Sequence, residues 1–224
     1  MEYQSLVEET KLKLTQYKEE GKSMFASSSF QTHSIPMLHI ISQIDPSIPI
    51  VFLNTGFLFP ETMSYKDLIC DLYGLTSIDV SSDTPRSMQK DTSGRFLFAS
   101  DPDYCCHLNK VVPMEPILHR YDVWVNGVRA DQNANRKNMK EEQMTPQGAM
   151  RYHPMLNWTN KMIWAYIKEF DIPRQPLESQ GYSSSIGCEP CTRKVDPSAY
   201  SDDRMARWFG MNKTECGLHT ELIK

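Results

Sequence analysis

The run Ile48-Pro49-Ile50-Val51-Phe52-Leu53 constrains the fold more than any other stretch of the chain. It is continuously apolar and of strand length. A strand with one wet face alternates in polarity. A strand that does not alternate is buried on both faces, as in a parallel sheet covered by helices. The flanking stretches repeat a strand-then-helix order. Residues 3–20 predict a helix with apolar positions at Leu6, Val7, Leu14 and Tyr17, closed by Gly21. Ser23-Met24-Phe25-Ala26 predicts a short strand, and Thr32 to Ile44 a helix that tolerates Pro36 near its first turn. Pro60 opens a helix with a stripe of Tyr65, Leu68, Ile69 and Leu72, ended by Gly74, and Thr76 to Val80 predicts a strand. Residues 83–104 read as loop with some helix. Cys106 to Leu118 reads as a helix that Pro113 and Pro116 must break or kink. Tyr121 to Val128 reads as a strand, 130–149 as a long loop, and Asn160 to Phe170 as an amphipathic helix. Strands alternating with helices predict an α/β fold, a doubly wound and mostly parallel sheet.

The chain has 224 residues, enough for one sizeable domain, and its 40% hydrophobic and 23% charged content is that of a globular protein. A net charge of −4 speaks against non-specific binding to nucleic acid. No apolar run approaches the roughly 20 residues of a membrane span. The polar start Met1-Glu2-Tyr3-Gln4 is unlike a secretory signal. The expected home is therefore the cytoplasm, where paired cysteines are more often metal ligands or redox centres than structural disulfides.

Five of six cysteines fall into a pattern: Cys105-Cys106, the Cys-x-x-Cys of Cys188 and Cys191, and a single Cys216 near the end of the sequence. Adjacent cysteines suit a single tetrahedral ion poorly, because structural zinc sites space their cysteines by two to four residues. Neighbours on a helix, about 100° apart, can instead reach different corners of an iron–sulfur cluster. The two pairs are also far apart in sequence, unlike the knuckles of a local zinc ribbon, roughly 15–20 residues apart. These four read as ligands of a metal or cluster, with iron–sulfur favoured over zinc, and Cys216 reads as a nucleophile. Lys110, one helical turn after Cys106, is placed to offset the negative charge of such a centre or to bridge it to an anionic substrate. Cys70 reads as a small core residue.

Two loops would lie at the carboxyl ends of parallel strands, where doubly wound sheets bind ligands. Ser27-Ser28-Ser29 stands between a strand and a helix, a place for an anion, although such serines are more often caps. Asn54-Thr55-Gly56 follows the buried strand. There is no Gly-x-x-x-x-Gly-Lys loop.

Phe25-Ala26-Ser27-Ser28-Ser29-Phe30, Asn54-Thr55-Gly56 with Phe59-Pro60-Glu61-Thr62, Cys105-Cys106-His107-Leu108-Asn109-Lys110, Gly127-Val128-Arg129, Gly187-Cys188-Glu189-Pro190-Cys191 and Glu215-Cys216-Gly217-Leu218-His219 occur in one order. In that order the chain resembles the assimilatory adenylyl-sulfate/phosphoadenylyl-sulfate reductase family, over about residues 23 to 219. The resemblance implies an adenine-nucleotide alpha-hydrolase-like fold, with a nucleotide-binding core at 23–180 and a cluster-ligand loop and mobile catalytic tail at 181–224, in a single domain of 1–224. It implies a 4Fe–4S cluster on Cys105, Cys106, Cys188 and Cys191, which positions and polarises substrate and does not pass electrons. It implies Cys216 as the nucleophile that takes the sulfo group, and thioredoxin as the electron donor. It implies substrate contacts from Ser27, Ser28, Ser29, Thr55, Gly56, Lys110, Arg129, Arg204 and Arg207, with His219 either lowering the thiol pKa or idle. The substrate would be adenosine 5′-phosphosulfate or its 3′-phosphorylated form. Asn54, where many members carry Asp, Ala130, where a second Arg is common, and Phe30-Gln31, in place of a glycine-rich loop, depart from the pattern. The serine loop looks like the cluster-free branch and the cysteines like the cluster-bearing one, and the cysteines weigh more. A PP-loop ATP pyrophosphatase and a non-catalytic zinc module are the rival readings.

Overall fold

A computed structural model of the protein describes residues 2–194, 206–208, 210–211, 213, 215–219 and 222. The elements in chain order are α1 (Gln4–Glu19), β1 (Met24–Ser27), α2 (Ile35–Ile44), β2 (Ile50–Leu53), α3 (Pro60–Tyr73), β3 (Ser77–Val80), α4 (Leu97–Ser100), α5 (Pro102–Cys106), α6 (Val112–Arg120), β4 (Val123–Asn126), β5 (Glu142–Met144), β6 (Met150–Tyr152) and α7 (Asn160–Glu169). The strands form one six-stranded sheet in the order β3-β2-β1-β4-β6-β5. All pairings are parallel except that of β5 with β6. The sheet is thus α/β and mostly parallel.

The absence of alternation in β2 has the expected cause. Ile50 and Phe52 point to one core cluster, shared with Met24, Ala26, Val123 and Val125. Val51 points to another, shared with Phe25 and Trp124. Successive side chains of a strand face opposite sides, so each central strand needs apolar residues at every position. Helices α1, α2, α3 and α7 cover the first face, and α6 the second. Local signals set the helix ends. Pro60 starts α3, and Gly74 ends it in the left-handed conformation at φ 62°, with its N–H donated back to Asp71. Thr159 caps α7 by accepting from the Met162 N–H at 3.3 Å.

Three expectations are corrected. The helix expected from Thr32 to Ile44 begins with a 3₁₀ turn, Thr32–Ser34, before α2. The stretch from Cys106 onward is no single helix, since α5 ends at Cys106 and a π turn, His107–Val111, leads into α6. Pro113 cannot donate to the carbonyl four residues back and crowds it, and the wider turn ahead of it relieves that clash. Pro116 then lies inside α6, which continues to Arg120. The 130–149 segment, expected as loop, contains β5, and β6 follows directly; neither strand was expected. Among the described residues no helix is long and apolar enough to cross a membrane.

Candidate active site

The carboxyl ends of β1, β2 and β4 meet at Ser27, Leu53 and Asn126, where Ser27 is in register with Val51 and with Asn126. A cavity of about 180 Å³ opens there, lined by Ser27, Ser28, Ser29 and Thr55 and by Lys110, Arg207 and Cys216. The serine loop is held from within. The Ser28 hydroxyl accepts from the Phe30 N–H at 3.0 Å and lies 3.0 Å from the Ser34 hydroxyl, and the Ser27 hydroxyl accepts from the Trp124 indole N–H at 2.7 Å. Phe30, fully buried, adopts φ 49°. A left-handed aromatic residue costs on the order of 1–3 kcal/mol and persists only where its surroundings enforce it. Phe30 therefore makes the turn that a glycine-rich loop would make without strain. Gly56 turns at φ 73°, its N–H donated to the Asn54 side chain and its carbonyl held by Arg86.

A smaller void adjoins the first and shares Thr55, Lys110, Cys188 and Arg207 as a common wall. Cys105, Cys106, Cys188 and Cys191 all line it. The first pair comes from the end of α5. The second comes from a short 3₁₀ turn stitched to the chain after β2 by the Glu189 N–H to the Phe57 carbonyl at 2.8 Å. The Thr55 hydroxyl lies 3.2 Å from the Cys188 sulfur, and the Asn109 amide 3.6 Å from that of Cys105. No described cysteine is in a disulfide. Burial, then the charges of Cys188 and Cys191, pushes the Cys105 thiol up to about 11, and burial raises Cys191 as well. Such thiols stay protonated unless a metal takes the proton's place. Among the described residues no three His, Cys, Asp or Glu side chains converge as a single-ion site. Four sulfurs around one void are a donor set that suits a metal centre.

Cys216 lines the first cavity, with its thiol against Cys106. Its thiol is held well below the usual range by a hydrogen bond with Cys106, then by the Lys110 charge, against burial. Burial opposes the charge on Lys110 but is outweighed by Cys216, Cys106 and Cys188, so its pKa rises. Arg207 stacks on the Trp208 ring, 4.5 Å from its centroid. Gly187 makes room for it, because a Cβ there would stand 2.3 Å from the guanidinium carbon. Arg129 does not line the cavity; it is buried, with its Nε donating to Asp131 at 2.9 Å. Arg204 and the His219 side chain lie outside the described residues.

Sequence reasoning missed several residues here. Arg136 and Glu215, each 6% exposed, form a two-pronged ion pair at 2.8 and 2.9 Å. Arg151 is fully buried over the Trp124 ring and donates to the Leu218 carbonyl at 3.2 Å; burial, then Arg136, lowers its pKa to about 9. Lys213 pairs with Asp103. Asn126, 3% exposed, lines the cavity, and its amide has no hydrogen-bond partner among the described residues. Only Asn126 carried a usable signal, as a polar residue closing an apolar strand at a carboxyl end.

Fold and site together define a nucleotide-type α/β protein with a thiol-rich cavity at the sheet's carboxyl edge. The phosphoadenosine phosphosulfate reductase domain matches residues 23–194, and the chain belongs to that family. It is 35% identical to an adenosine 5′-phosphosulfate reductase of Halalkalibacterium halodurans, over 91% of this chain and 87% of that protein. It is 36% identical to a phosphoadenosine 5′-phosphosulfate reductase of Gloeobacter violaceus, over 89% of this chain and 83% of that protein. A phosphoadenylyl-sulfate reductase of Candida auris, solved with phosphate, shares the fold with a TM-score of 0.63 at 21% identity, covering 77% of this chain and 83% of that one.

Proposed function

We propose that the chain reduces adenosine 5′-phosphosulfate to sulfite and AMP in sulfate assimilation, through a sulfo group carried on Cys216. The observation that carries this reading is that Cys216 lines a strand-end cavity which shares Lys110 and Cys188 with a void lined by four thiols. The Cys216 thiolate attacks the sulfur of the phosphosulfate. A sulfur–sulfur bond forms, the bridging sulfur–oxygen bond breaks, and AMP leaves with that electron pair. A dithiol of the thioredoxin class then attacks the Cys216 sulfur and displaces sulfite. Its second thiol resolves the mixed disulfide, so that the dithiol is oxidised and Cys216 returns as thiolate.

Two anions meet in the first step, so cations are required. Lys110 and Arg207 line both voids and would bear on the phosphosulfate. Ser27, Ser28, Ser29, Thr55 and Gly56 would supply hydroxyl and backbone donors to the nucleotide. Arg129, directed to Asp131, would order the loop between β4 and β5 rather than touch substrate, and Arg204 keeps its place as a substrate contact by resemblance alone. Cys105, Cys106, Cys188 and Cys191 would hold a 4Fe–4S cluster, which when bound would position and polarise the substrate. The 3′-phosphorylated nucleotide is a second substrate reading, supported by the name of the Gloeobacter relative.

Mixing the purified protein with each nucleotide, without reductant, tests this reading. Mass spectrometry is expected to find one added sulfo group on the Cys216 peptide, and none in Cys216→Ser, which keeps its brown colour. An adduct elsewhere, or sulfite released by Cys216→Ser, refutes it. Cys188→Ser is expected to lose iron and colour, and an unchanged iron content overturns the ligand assignment.

A further inference from the structure

The cavity that holds Cys216, about 180 Å³, is far too small for a reductant protein to enter. Cys216 must therefore be held in for sulfo transfer and let out for reduction. What holds it is visible. Glu215, its chain neighbour, accepts both prongs of the Arg136 guanidinium and an N–H of Asn133 at 2.6 Å. Oε1 of the same carboxylate, which takes the Nη2 prong of Arg136, also accepts the Cys216 backbone N–H at 2.9 Å. Beyond the thiol, Arg151 donates to the Leu218 carbonyl, and Leu218 and Leu222 pack into the cluster of Phe25, Val111 and Trp124. Asn133 and Arg136 come from the loop after β4, so one element closes the cavity and clasps the tail.

We propose that Arg136 and Glu215 are positioning residues, a latch that sets how long Cys216 stays facing the phosphosulfate. A buried, two-pronged ion pair is stable only while both partners are present, and removing one leaves the other charge unpaired. The pair is therefore close to all-or-none, as a latch must be. Loosening it has opposite effects on the two half-reactions. Sulfo transfer slows, because the thiolate spends less time in line. Reduction of the S-sulfo enzyme speeds up, because its sulfur is more often outside.

This inference rests on the sulfo-transfer reading for its second arm only. In the first arm, Glu215→Gln and Arg136→Lys holoproteins are treated with iodoacetamide without nucleotide, and alkylation of the Cys216 peptide is followed by mass spectrometry. Both variants are expected to react roughly tenfold or more faster than wild type, since opening populations follow the lost pairing energy. Arg136→Lys keeps the charge but not the fork, and should fall between the other two. In the second arm, pre-formed S-sulfo enzyme is reduced with dithiothreitol, which needs no docking surface. Faster reduction together with slower sulfo transfer supports the latch, a split that loss of a substrate contact would not produce. Unchanged Cys216 alkylation in both variants, with thermal melts showing them folded, overturns it. If wild type forms no adduct, the functional reading fails, while the alkylation arm still decides the latch.

Discussion

Gly187→Ala is a small change with a large expected effect. The Gly187 backbone lies outside the left-handed region, so alanine meets no conformational barrier there. Its Cβ, however, would sit 2.3 Å from Cζ and Nη2 of Arg207 and 2.6 Å from Nη1. Carbon atoms rest at about 3.5–4.0 Å, so the guanidinium must retreat by more than ~1 Å. The backbone of that residue is not free to follow. Arg207 bridges to Thr192, and the Trp208 N–H is donated to the Cys191 carbonyl at 3.0 Å. The displaced group is the end of a flexible side chain, so the fold survives and the loss falls on whatever Arg207 does. A charge-assisted hydrogen bond is worth about 1.5–3 kcal/mol. At about 1.4 kcal/mol per tenfold, kcat/KM for adenosine 5′-phosphosulfate should fall roughly 10- to 100-fold. Steady-state sulfite release from wild type, Gly187→Ala, Arg207→Ala and the double variant measures it. If the glycine acts through the arginine, Gly187→Ala costs nothing further in the Arg207→Ala background. Wild-type kinetics in the single variant, or additive losses in the double, would refute the reasoning.

Burial, then the Arg151 charge, lowers His153 from 6.5 to about 4. The folded protein keeps this ring neutral while the unfolded chain protonates it below about 6.5, so stability is full above that pH and falls towards pH 4, by up to roughly 3 kcal/mol. Melts of wild type and His153→Asn between pH 7 and 4.5 check this, and parallel curves would contradict it. Asn126→Leu removes a buried amide without a partner among the described residues. It should stabilise the empty fold by about 1–3 kcal/mol and raise KM; a lower melting temperature with unchanged KM would show that Asn126 is structural only.

What the sequence disclosed, and what it hid, follows from how ordinary each residue is. Ile48 to Leu53 had to be doubly buried, because nothing else explains a strand without a polar position, and β1, β2 and β4 followed. Thiols are uncommon and their pairing restricts their chemistry, so Cys105, Cys106, Cys188 and Cys191 were legible as one set before any fold was known. β6 was not legible. At its centre is Arg151, and an arginine normally marks a wet face; here it is fully buried over Trp124 and against Leu218, far from it in sequence. Arg136 and Glu215 were hidden for the same reason, since each looks like surface until the other is placed beside it. Arg129 was legible by its motif alone. It stands in a recognisable motif, yet its nearest anion is Asp131, two residues away.

The cations around Cys216 are already divided by task, and the division limits which can meet a substrate. Arg136 is committed to Glu215, Arg151 to the Leu218 carbonyl and the Trp124 ring, and Lys213 to Asp103. All three hold chain to chain. Lys110 and Arg207 line both voids instead. A phosphosulfate brings two negative groups to a thiolate and to four further thiols, and its approach is unfavourable unless cations already point inward. Recruiting Arg136 would release Glu215 and with it the backbone of Cys216. On the proposed function, and among the described cations, Lys110 and Arg207 are therefore the ones that would carry the charge of the anion while Arg136 stays with the tail.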